Sequence, residues 1–191
     1  MESDVESYSG DSSYRYVDRL IKGSGSELMI ISPYISGYYA RLLVKRAGSV
    51  QVRIITSESS IGKNKKLLGR HLSSGIGAYM KALAFVLLLD FISAYLAFGY
   101  TTAILSAIVV ILALATYMKH AKTESNLLVK VPKGRFIHEK MYINGDTAII
   151  GSANLTYSGM HRNIEHIEVI REPSRIGELR GHFESLWGKI N

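Results

Sequence analysis

The sequence predicts an α/β domain, a mixed sheet flanked by helices, interrupted by an inserted transmembrane helical hairpin. Three observations carry this reading. In the first third, apolar runs of strand length alternate with stretches of helical spacing. In the last third, two strand-like runs meet at Asn144-Gly145, the strongest short hairpin signal. Between them, residues 82–118 are almost wholly apolar.

Taken in order, residues 1–13 are acidic at the start (Glu2, Asp4, Glu6) and are expected to be a short disordered tail. They lack the basic n-region and apolar core of a signal peptide. Asp11-Ser12-Ser13 offers an N-cap, and Val17, Leu20 and Ile21 give a helical stripe ending near Gly23. Leu28–Ile31 is a continuous apolar run of strand length. Tyr38–Arg46 has helical spacing, with Leu42, Leu43 and Ala47 inward. Val50, Val52 and Ile54 alternate along the next strand, Val50–Thr56. This βαβ order points to a parallel or mixed sheet.

Residues 61–81 then form a basic linker with Lys63, Lys65, Lys66 and Arg70. The apolar stretch 82–118 divides at Phe98-Gly-Tyr-Thr101 into two segments of about 18–19 residues, near the minimum for spanning a bilayer. Lys81 precedes the pair; Lys119, His120 and Lys122 follow it, inside a second linker, 119–125. Both ends are basic, so the positive-inside rule puts them, the termini and the rest of the chain in the cytoplasm, with the protein in the cell membrane. Asp90 lies mid-span, where an acid is costly and faces another helix.

Beyond the hairpin, Asn126–Val131 reads as a strand and Pro132-Lys-Gly134 as a turn. Arg135–Ile143 and Thr147–Gly151 pair across the Asn144-Gly145 turn. Thr156–Asn163 is a short helix or loop, His166–Ile170 a last strand, and Ser174–Lys189 an amphipathic helix with Ile176, Leu179, Phe183, Leu186 and Trp187 inward.

Composition narrows the function. A chain of 191 residues can bury a core. It has no cysteine, so disulfides and thiolate metal sites are excluded, and no Asp/Glu cluster suggests a metal. The formal charge is +7, concentrated in residues 12–76, where eleven lysines and arginines face Asp18, Glu27 and Glu58. Such a field favours polyanions, either nucleic acid or an anionic membrane surface.

The pattern with most chemical content runs from His138 to Asn154. His138 and Lys140 are two apart on an extended run and share a face. The hairpin folds Ser152 and Asn154 back toward them. An imidazole, an ammonium, a hydroxyl and an amide on one surface suit a phosphodiester, whose transfer needs an in-line nucleophile and neutralised equatorial oxygens.

These residues resemble the HKD motif of the phospholipase D superfamily: His138 and Lys140, then Gly151, Ser152 and Asn154, followed by Leu155-Thr156. Gly145 stands where the family has aspartate, and Asp146 comes one later; a shortened turn accounts for this, and Asp146 is read as a turn residue. Glu27–Ile35, ending in Ser-Pro-Tyr-Ile, is similar to the family's first strand, and Asn163-Ile-Glu165 to its Asn-x-Glu. The resemblance implies a phospholipase D-like catalytic domain over 14–60 and 126–191, with metal-independent chemistry and no cofactor. It implies that His138 is the nucleophile, Lys140, Ser152 and Asn154 hold phosphate, and Glu165 fixes the tautomer of His138. The basic residues Lys63, Lys65, Lys66 and Arg70 are candidate substrate contacts. Two motif copies make one site in this family, so a single-copy chain is expected to be a homodimer. Three functions follow as expectations: a membrane-anchored nuclease, a phospholipid hydrolase or phosphatidyltransferase acting on phospholipid or cardiolipin, and a non-catalytic membrane scaffold.

Overall fold

The structure is a computed structural model that describes residues 4–69 and 126–190, together with Ile108, Ile111 and Ala115. The hairpin 82–118 with Asp90, the linker 119–125 and Arg70 therefore lie outside the described residues, apart from those three positions. Among the described residues, no helix is long and apolar enough to cross a membrane.

The elements are β1 (Val5–Gly10), α1 (Tyr14–Lys22), β2 (Glu27–Ile31), α2 (Gly37–Ala47), β3 (Gln51–Ile55), α3 (Glu58–Lys63), β4 (Leu127–Lys130), β5 (Met141–Asn144), β6 (Thr147–Gly151), α4 (Tyr157–His161), β7 (Glu165–Ile170) and α5 (Pro173–Lys189). One seven-stranded sheet runs in the order β1-β7-β6-β5-β2-β3-β4. Strands β2, β3 and β4 are parallel. The remaining neighbours are antiparallel, which makes the sheet mixed.

Alternation along each strand sorts side chains to two faces. Leu28, Ile30, Val52, Ile54, Tyr142, Ile149, Ile167 and Val169 point to one core, closed by Val17, Leu20 and Ile21 of α1 and Tyr39, Ala40, Leu43 and Ala47 of α2. Met29, Ile31, Ile55, Met141, Ile143, Ala148 and Ile170 point to the other, closed by Ile176 and Phe183 of α5 with Leu179, Leu186 and Trp187 at its margin. The result is three layers. Arg53, on the α5 face, is held by Glu27 at 2.6 Å and by Glu184 of α5 at 2.5 Å, and lies over the rings of Phe183 and Trp187.

Three local expectations are corrected. Residues 5–10 of the supposed tail form β1, in register with β7 from Val5↔Ile170 to Gly10↔Glu165. Backbone pairing is blind to the acidic composition, and it covers what would be an open edge of β7. Tyr8 adds a side-chain tie, its ring 5.1 Å from that of Tyr16 on α1. The hairpin turn is one residue later than expected: Asn144 pairs with Thr147, leaving Gly145 and Asp146 at the tip. Gly145 has φ +60°, a left-handed conformation glycine adopts at no steric cost. Finally, α3 runs into the segment read as linker from residue 61, and its side chain cap is Ser57 accepting from the Ser60 amide.

Candidate active site

The residues read as functional gather at one edge of the sheet. Here β2 ends, β5 begins, β6 ends and β7 begins. In open α/β sheets the carboxyl ends of parallel strands are where ligands bind. His138 and Lys140 precede β5 in an extended run rather than within a regular strand. The ladder still reaches them, since the Gly151 amide donates to the Lys140 carbonyl at 3.3 Å.

The Lys140 side chain turns back on His138. Its Nζ donates to the His138 carbonyl at 2.7 Å and sits 3.1 Å from His138 Nε2. An ammonium only donates, so Nε2 accepts and carries the lone pair, which leaves the ring proton on Nδ1. The nitrogen facing the cation is thus the one that carries the lone pair. Lys140 is buried while His138 is exposed. Burial pulls the Lys140 ammonium below the ordinary lysine value, and the negative charge of Glu165 works against that pull.

Glu165 is buried at the start of β7. Its Oε2 accepts a short hydrogen bond from Ser152 Oγ, and its Oε1 accepts from Asn163 Nδ2 at 3.1 Å. Ser152 Oγ in turn accepts from the His166 amide at 3.0 Å. Two expectations change. The Ser152 hydroxyl proton is committed to Glu165 rather than pointing at a ligand, and Glu165 acts on Lys140 by charge while holding Ser152 and Asn163, with no hydrogen bond to His138 of its own chain. Asn154 lies in the loop after β6, its Oδ1 buried and without a partner. Asp146 is at the far tip of the hairpin, accepting from Thr147 Oγ1 at 3.2 Å.

Sequence reasoning missed the residues that fix this loop. The buried Tyr142 hydroxyl donates to the Ala153 carbonyl at 2.7 Å, between Ser152 and Asn154. Ser32 Oγ accepts from the Leu155 amide at 3.0 Å and donates to the Tyr34 carbonyl at 2.9 Å, joining the Ser-Pro-Tyr turn to the motif loop. A tyrosine in an otherwise apolar run was the available signal, since a buried phenol needs a partner. Lys63, Lys65 and Lys66 line a cleft whose lining does not include His138. This cleft, which Arg41 also lines, has a volume of about 380 Å³ and lies on the flank of the 32–37 loop, tied to it by Asn64 Nδ2 donating to the Ile35 carbonyl at 2.8 Å. Among the described residues, no three His, Asp or Glu side chains gather as a metal would need.

The fold and the clustered His138, Lys140, Ser152, Asn154 and Glu165 define the class as phospholipase D-like. Residues 17–187 match the family described as "Cardiolipin synthase, PLD-like domain", and the chain belongs to that family. Solved structures share the fold. Nuc from Salmonella typhimurium, a phospholipase D family member, is 14% identical with TM-score 0.56, over 98% of this chain and 97% of its own. NucT from Helicobacter pylori is 15% identical with TM-score 0.56, over 97% and 96%. The archaeal chromatin protein TrmBL2 is 12% identical with TM-score 0.54; 98% of this chain spans 53% of its length. No protein of curated function matches the sequence.

Proposed function

We propose that this chain is a membrane-anchored phosphodiesterase, most simply a nuclease acting on DNA or RNA. The observation that carries the chemistry is the buried Lys140 ammonium 3.1 Å from the lone pair of an exposed His138. A phosphoryl oxygen drawn to Lys140 brings phosphorus to Nε2.

The chain supplies half of a site, and a homodimer completes it. His138 Nε2 of one copy attacks phosphorus, forming an N–P bond and expelling the alkoxide. His138 of a second copy, protonated, gives that alkoxide its proton; the alcohol departs and the imidazole is left neutral. The same imidazole then takes a proton from water, whose oxygen displaces Nε2 and yields a phosphomonoester. Lys140 and Asn154 of both copies hold the equatorial oxygens, and Glu165 and Ser152 keep the floor of the site fixed. The hairpin 82–118 anchors the protein in the cell membrane, with the catalytic domain and both termini cytoplasmic.

The cations Arg41, Lys63, Lys65 and Lys66, which have no ion pair among the described residues, favour nucleic acid. The apolar segment favours a second reading, a lipid headgroup phosphodiesterase or phosphatidyltransferase acting where it is anchored. An assay with EDTA present decides: purified protein and His138→Ala are given single- and double-stranded DNA and RNA in one arm, and phosphatidylcholine and cardiolipin in the other. His138-dependent cleavage of nucleic acid is expected. Headgroup release alone selects the lipid reading, and activity in neither arm leaves a non-catalytic scaffold.

A further inference from the structure

Two aromatic rings at the active-site edge have no part in either core. Tyr34 is 42% exposed and Phe136 is 60% exposed. Their ring centroids are 6.2 Å apart, tilted by 49°, and Phe136 is 6.0 Å from the His138 ring. Tyr34, Phe136 and His138 therefore form a continuous row ending at the nucleophile. Large aromatic surface left in water, beside a reacting group, is where a ligand with a flat apolar face is held.

The Tyr34 side of the pad is held in place by hydrogen bonds. Tyr34 sits in a loop whose main chain is pinned from several sides. Its carbonyl accepts from Ser32 Oγ at 2.9 Å. The preceding Pro33 carbonyl accepts from Ser60 Oγ at 2.9 Å, and Ser60 Oγ in turn accepts from the following Ile35 amide at 2.9 Å. Thr56 Oγ1 donates to the Ser32 carbonyl at 2.8 Å. Little conformational entropy remains to be lost on contact.

The surroundings of the pad are cationic and hydroxylic. Arg135 adjoins Phe136, and a cleft of about 420 Å³ beside it is lined by Thr56, Ser57, Ser59 and Arg135, with Glu58 the one carboxylate. Arg41, Lys63, Lys65 and Lys66 flank the loop that carries Tyr34. None of these cations has an ion pair among the described residues. A ring row with cations on either side is the arrangement that holds single strands, whose bases have free faces and whose phosphates follow the charge. A patch made for membrane insertion gathers aliphatic side chains around its rings, and here hydroxyls and guanidinium surround them.

We infer that Tyr34 and Phe136 stack an unpaired nucleobase next to the scissile phosphate, and so make the enzyme selective for single-stranded nucleic acid. The inference rests on the nuclease reading and names its substrate class. A duplex keeps its bases stacked on one another and offers the pad no face.

Binding is measured by fluorescence anisotropy on the full chain in detergent, with His138→Asn to prevent turnover. The probes are a short single-stranded oligonucleotide, the same sugar-phosphate chain with abasic sites opposite the pad, and a duplex. The single strand binds roughly tenfold or more tighter than the abasic strand, as one or two stacked bases provide. Tyr34→Leu with Phe136→Leu brings that ratio to about one, whereas Tyr34→Phe with Phe136→Trp keeps it. Thermal melting of each variant confirms the fold. An unchanged ratio in the leucine variant overturns the inference, as does loss of affinity for anionic phospholipid vesicles without loss of base discrimination. Cleavage assays with intact His138 separate the two levels. Cleavage of all strands without base preference removes only the stacking role, and no cleavage of any strand removes the nuclease reading with it.

Discussion

Gly151→Ala tests whether the junction of β6 and β7 is as tight as the structure shows. Gly151 ends β6 opposite Ile167 with φ +152°. A Cβ there would lie 2.2 Å from the His166 carbonyl oxygen and 2.8 Å from Ile167 Cα. Ordinary contact begins near 3.4 Å, so main chain must retreat by about 1.2 Å (3.4 − 2.2), and no flexible side chain can absorb it. Overpacking of this kind costs about 1–3 kcal/mol, and positive φ in a non-glycine about 1–2 kcal/mol more. The sum, about 2–5 kcal/mol, is a large share of a reserve of about 5–15 kcal/mol. At about 2–4 °C per kcal/mol for a chain of this size, Tm falls by about 4–20 °C. The strand that retreats carries Glu165 and the His166 amide, which donates to Ser152 Oγ at 3.0 Å. Activity measured well below the new Tm therefore falls as well. Circular dichroism melts and kcat/KM at 25 °C are the assays. A Tm within about 2 °C of the parent, with activity retained, would show that β6 and β7 separate freely and refute the argument.

Three further outcomes follow from the same structure. Lys140→Met removes a buried cation without changing shape much; kcat/KM drops about 10²–10³-fold, as for other charge-stabilising groups, while Tm holds or rises because a buried charge is gone. Loss of Tm together with activity would mean that Lys140 is structural. Glu165→Gln takes away the charge that opposes the burial-driven fall of the Lys140 ammonium, so Lys140 gives up its proton at lower pH and the alkaline limb of the kcat/KM profile moves to lower pH; a shift the other way contradicts the assignment. Arg53 holds the Glu184 carboxyl below its ordinary value, chiefly by hydrogen bonding. The stabilisation from a depressed carboxylate is present above the unfolded pKa, about 4.3, and is lost as pH falls through the folded one. Arg53→Met should flatten that acid loss in urea midpoints taken below about pH 5, and an unchanged slope would assign it to other carboxylates.

Periodicity made most of the layered fold readable. Val17, Leu20 and Ile21 are all buried on α1, and the alternation of Val52 and Ile54 around Arg53 puts the valine and isoleucine on one core and the arginine on the other face. Where the sequence misled, the deciding interaction had no side-chain signature. β1 is held by main-chain pairing with β7, which an acidic composition does not reveal. The turn slipped by one residue because Asn144 is buried in the ladder opposite Thr147, leaving the positive φ to Gly145. At the site, two-residue spacing brought His138 and Lys140 to one surface, since alternation acts on any extended run. Spacing alone could not say that Ser152 donates to Glu165, because that contact joins strands ending and starting at the same edge from different parts of the chain.

The parallel pairing of β3 with β4 has a consequence for how the chain can be cut. Parallel neighbours need a crossover of about a dozen residues or more to carry the chain back to the starting edge. Thr56–Gly69, with α3 and the buried Leu68 packed on the α1 and α2 face, already has about that length. The length of the crossover therefore does not by itself call for the segment 70–125. A chain spliced from Gly69 to Asn126 through a glycine-serine bridge is expected to keep the β3–β4 pairing and the His138 edge without the apolar segment, and a cooperative circular dichroism melt of the spliced chain checks it.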